Sequence, residues 1–103
     1  MKSRRRFADL IARQLDFFER EHDGLIRDCN AAEEAYDRAP RDEAEERYGD
    51  YAELVETGTD LLAELRDNYA SSLGEPAAEE YVQAFNRAVH RRLPRFALEI
   101  ESS

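Results

Sequence analysis

Nine positions near the start of the chain fall at alternating intervals of four and three: Ile11, Leu15, Phe18, His22, Leu25, Cys29, Ala32, Tyr36 and Ala39. A strand repeats its faces every two residues, so this series cannot line one side of a sheet. On an α-helix the same series makes a single seam, and four heptads in unbroken phase predict one long helix over residues 4–39. The opposite face agrees, because Asp9/Arg13, Asp16/Arg20 and Asp23/Arg27 each place an acid four positions before a base, the favourable order on a helix surface. Gly24 costs a helix about 1 kcal/mol relative to alanine. The seam runs through it in phase, which predicts no break.

A helix with one apolar seam must bury it against other elements, and the rest of the chain supplies two. Glycine and proline cluster at "APRD" (39–42) and "LGEPA" (73–77), cutting the chain into three segments. Pro40 disfavours helix at Ala39, and Asp42 with Glu45 reads as a capping box. The second seam runs Ala44, Tyr48, Tyr51, Val55, Gly58, Leu62, Leu65 and Tyr69, with Gly74 as its stop. The third carries Ala78, Val82, Phe85, Val89 and Leu93 before Pro94. The expected fold is all-α: an antiparallel up-down-up bundle with helices over 4–39, 42–73 and 76–93, in a single domain over 1–103 with frayed ends at 1–5 and 101–103. The tail alternates Phe96, Leu98 and Ile100, a strand pattern. A lone strand has no partner here, so a short helical extension after Pro94 is expected, with strand pairing across a dimer as the alternative. The layout of three heptad helices resembles that of the spectrin repeat in architecture, without that family's tryptophan signature.

Charge narrows the range of functions. Residues 28–86 hold 17 acids against 4 arginines, while both flanks are net basic and the whole chain is −9. Such a surface repels phosphate backbones, which argues against general nucleic-acid binding. It leaves open an acidic regulator-binding or DNA-mimicking protein with a protein partner on the acidic face. No apolar run approaches the ~20 residues of a membrane span. A single cysteine, Cys29, forms no internal disulfide and suits a reducing compartment, so the expectation is a cytoplasmic domain.

The sharpest chemical motif is Glu19-Arg20-Glu21-His22, the Glu-x-x-His spacing of diiron bundles. Such a site needs a second copy of the motif and two more inward carboxylates. Asn86 and Arg87 stand where the His90 counterpart would need a glutamate, so no metal or other cofactor is favoured; Glu19, His22 and His90 are the candidates for a metal- or ligand-binding alternative. Cys29 and His22 lie about 10 Å apart along one helix at 1.5 Å per residue, too far for a nucleophile and its base, and no catalytic constellation is visible. Pairing the first two helices around Pro40 sets His22 opposite Gly58, flanked by Thr57 and Thr59. The second turn, around residues 74–75, puts His90 and Arg91 at the same level, completing a polar layer expected to fix helix register. Phe7, Leu10 and Phe17, with Phe96, Leu98 and Ile100, are the candidate interface residues. They point to a self-associating, non-enzymatic interaction or scaffold module, expected as a homodimer.

Overall fold

A computed structural model describes residues 6–98, and among them every regular element is helical. Four α-helices follow one another: α1 Ala8–Glu21, α2 Asp23–Arg38, α3 Arg41–Ala70 and α4 Ala77–Arg92, then a 3-10 turn at Pro94–Phe96. The all-helical expectation holds, but the helix count is four, because the first predicted helix is broken. His22 has φ −119° and ψ 32°, outside helical values. Its N–H still bonds the Phe18 carbonyl, and its own carbonyl accepts from Ile26. The break separates two packing tasks. Helix α2 runs along α3, whereas α1 has its closest neighbours in α4 and α2. The seam phase survives on both sides, since Phe18 and Cys29 are both buried.

Other boundaries shift for local reasons. Pro40, extended at ψ 162°, stands as the N-cap of α3 with no side-chain cap bond. The expected Asp42–Glu45 box therefore does not form, and Asp42 and Glu43 lie inside the first turn, where the helix dipole favours acids. At the other end α3 stops at Ala70 rather than 73. The Ser71 and Ser72 hydroxyls donate to the Asn68 and Tyr69 carbonyls, a local bond that competes with helix continuation. Gly74 is not left-handed, so it is not the stop. The expected helix over residues 4 and 5, the frayed ends, and the tail beyond Leu98 lie outside the described residues.

One cluster forms the core: Phe7, Ile11, Leu15 and Phe18 from the first segment and Leu62 from α3, with Tyr81, Phe85 and Val89 from α4. Cys29, Phe96 and Leu98 complete it. On α4 the buried stripe is Ala78, Tyr81, Phe85 and Val89, with Val82 half-buried. The predicted seam chose Val82 over Tyr81. The larger ring wins because it meets Phe7 at 5.4 Å, Tyr69 at 4.8 Å and Phe85 at 5.8 Å. Its hydroxyl finds Gln14 Oε1 at 2.8 Å, so a buried phenol costs no unmet hydrogen bond.

Helix α3 spans 30 residues and α4 only 16, about 45 Å against 24 Å at 1.5 Å per residue. The third layer therefore covers only part of the α2–α3 pair. The outcome is an elongated body of 51 × 31 × 23 Å, with the α2–α3 hairpin projecting as a two-helix arm.

Candidate interaction surfaces

The expected polar layer is displaced by an aromatic plug. Leu93 leaves α4, Pro94 opens the 3-10 turn, and Phe96 folds inward to 1% exposure. Its ring lies over Gly58: a β-carbon built there would sit 2.3 Å from Phe96 Cε1. The ring also meets Phe18 edge-on at 6.0 Å. So Gly58 makes room for Phe96, not for an imidazole. His22 is half-buried beside Phe18, 5.0 Å between ring centres. His90 and Arg91 are exposed. Thr57 donates to the Glu53 carbonyl within its own helix. The space beside Gly58 is therefore filled by a ring in a glycine notch.

Arginines on and after α4 tie this turn down. Arg95 donates from Nη1 to Asn30 Oδ1 at 2.9 Å, from Nε to the Tyr51 hydroxyl at 3.1 Å, and pairs with Glu33 at 2.5 Å. Burial on its own pushes the Arg95 guanidinium down, but the bonds to Tyr51 and Glu33 outweigh it and raise its pKa overall. Arg92 grips both Glu19 carboxylate oxygens, at 3.0 and 3.2 Å, and Asp16 at 2.5 Å. Those bonds, Glu19 foremost, raise the Arg92 pKa. Glu19, the first half of the Glu-x-x-His motif, is thus the counter-ion of an arginine. Among the described residues no three His, Cys, Asp or Glu side chains converge as metal ligands. Of the expected heptad ion pairs, Asp23–Arg27 forms, while Asp16 turns to Arg92.

Cys29 is fully buried in the core, and burial, the largest influence, raises its thiol pKa. Both conditions suppress the nucleophilic thiolate.

The candidate interface residues divide. Phe7, Phe96 and Leu98 are buried in the chain's own core, and Leu10 is half-buried. Tertiary packing covers them because α4 and the turn after it reach the flank that periodicity alone leaves open. Phe17 stays 50% exposed, and Ile100 lies outside the described residues. The stripe is thereby reduced mainly to one ring, and single exposed hydrophobics are common on protein surfaces.

Two larger features lie elsewhere. On the arm, Tyr36 and Tyr48 are 39% and 53% exposed and meet at 5.5 Å, with Tyr51 6.4 Å further along. Residues 30–53 around them carry nine acids and three arginines. At the other end a groove of about 460 Å³ runs between α1 and α4. Ile11 and Leu15 form its apolar part, and Ala8, Ala12, Ala84 and Ala88 line it with small side chains. Arg87 and Arg91 stand on its edge, both exposed and making no ion pair among the described residues. Periodicity could have found the alanine rows, each spaced by four. It could not show that two helices turn them toward one groove.

No protein family, curated protein or solved structure matches this chain. Among the described residues no helix is long and apolar enough to cross a membrane.

Proposed function

We propose that this chain is a non-catalytic helical interaction module that associates with itself, its recognition element being the two-helix arm. The observation that carries this reading is the Tyr36–Tyr48 pair. Two large rings remain exposed at the end of a hairpin that α4 is too short to cover. Tyrosine suits such a role because its ring offers contact area with few rotatable bonds and its hydroxyl tolerates water. The only thiol of the chain is buried, and Glu19 is engaged by Arg92, which favours a binding role over a nucleophilic or metal-dependent one. The acids of the arm add selectivity, since a charged surface steers complementary partners and repels like ones.

Light scattering on the purified chain tests the reading. The expected mass at micromolar concentration is twice the 12.0 kDa of one chain, falling toward the monomer when Tyr36 and Tyr48 are both replaced by serine. A monomer at every concentration up to the solubility limit overturns self-association.

A further inference from the structure

The geometry points to a specific mate for the arm: the alanine groove between α1 and α4 of a second copy, rimmed by Arg87 and Arg91. This deepens the self-association reading and rests on it. Charge selects the pairing. Two arms set against each other would oppose surfaces of nine acids and three arginines. Two grooves set together would oppose Arg87 and Arg91 to themselves. Only arm on groove brings unlike charges together. Near the tyrosines, Asp37 and Glu45 are exposed and form no ion pair among the described residues, as is true of Arg87 and Arg91 across the contact.

Shape agrees with charge. Alanines recurring every fourth residue on two parallel helices leave a trough into which aromatic rings can sit. Tyr36 and Tyr48 supply such rings, and the rim arginines can stack on their faces. The two features also lie at opposite ends of the body. The path from Ile11 in the groove to Tyr36 on the arm runs about 38 Å at 1.5 Å per residue along α1 and α2, through the break at His22. Two copies side by side and antiparallel then place each arm over the other's groove, and the two contacts close on a two-fold axis rather than growing into a filament.

Charge reversal tests this with sedimentation equilibrium of the full chain, at about 50 mM and about 500 mM salt, where screening differs strongly. The wild type is expected to dimerise more tightly at low salt. The pair Arg87→Glu and Arg91→Glu should weaken the dimer about tenfold or more, and Asp37→Arg with Glu45→Arg should do the same. All four together should recover most of the lost affinity. Circular dichroism verifies that each variant remains folded. A dimer indifferent to Arg87→Glu and Arg91→Glu, or a fourfold variant no tighter than either pair, overturns the arm-on-groove assignment while self-association stands. A wild type that is monomeric at both salts sinks both readings. A monomer that binds a synthetic acidic amphipathic peptide through Arg87 and Arg91 overturns self-pairing and gives the groove to another protein's helix.

Discussion

Replacing Gly58 by alanine isolates the contact between α3 and the turn after α4. Alanine is the better helix former, so the backbone term alone favours the variant by about 1 kcal/mol. The added methyl, however, falls 2.3, 2.7 and 2.8 Å from Cε1, Cδ1 and Cζ of Phe96, against ordinary carbon contacts of about 3.5–4.0 Å. The obstacle is a rigid ring at 1% exposure, held edge-on to Phe18, so it has no free end to swing aside. Overpacking of this kind costs about 1–3 kcal/mol, and complete loss of a buried Phe side chain costs about 3–5 kcal/mol. Set against the helix gain, Gly58→Ala should destabilise by about 2 kcal/mol, a fall in melting temperature of roughly 8–15 °C for a domain of this size. Thermal and urea denaturation followed by circular dichroism measure it. Gly49→Ala on the same helix meets nothing within 4 Å and should instead stabilise by about 1 kcal/mol. The decisive comparison uses Phe96→Ala as background. With the ring gone, Gly58→Ala should change sign and become stabilising. If it stabilises the wild type, or costs as much without Phe96 as with it, the notch-and-ring account is wrong.

Three further expectations follow from other contacts. Arg95→Met should cost about 1.5–3 kcal/mol, the range for losing a hydrogen bond to a charged group; in hydrogen exchange the loss should fall on α2 and the first half of α3, sparing α1. Burial pushes the Tyr81 phenol from its usual value of about 10 up to about 12. The folded state therefore favours the neutral phenol, whose contribution is complete below pH 10 and is lost as pH rises toward 12. At 1.36 kcal/mol per unit this is about 3 kcal/mol, and the alkaline stability curve of Tyr81→Phe should lack that component. Cys29, buried with its thiol pKa raised, should react with an aromatic disulfide reagent only on the timescale of unfolding; rapid stoichiometric labelling of the native chain would show the site to be open.

Local pattern was enough to determine that this chain is helical, where its two turns lie, and most of what it buries. Seam positions such as Ile11, Leu15, Phe18, Cys29 and Leu62 are core residues because a heptad phase leaves one face apolar, whereas Tyr36 and Tyr48, on the same seams, stay exposed beyond the reach of α4. The break at His22 was not legible. A seam running in phase through Gly24 states which face is buried but not against what, and α1 and α2 were drawn to different neighbours. The choice of Tyr81 over Val82 and the inward turn of Phe96 also depend on partners distant in sequence: Phe7, Gln14, Tyr69, Phe18 and Gly58. Glu19 and His22 share a motif in the chain, yet Arg92, 73 positions away, claims the carboxylate. The same limit applies to the candidate surfaces. Composition gives the acids of the arm and spacing gives the alanine rows. Only the packing of α4 decides that Phe7, Phe96 and Leu98 are covered while Tyr36 and Tyr48 are left outside, because exposure depends on what else reaches a face, and sequence periodicity carries no length for the neighbour.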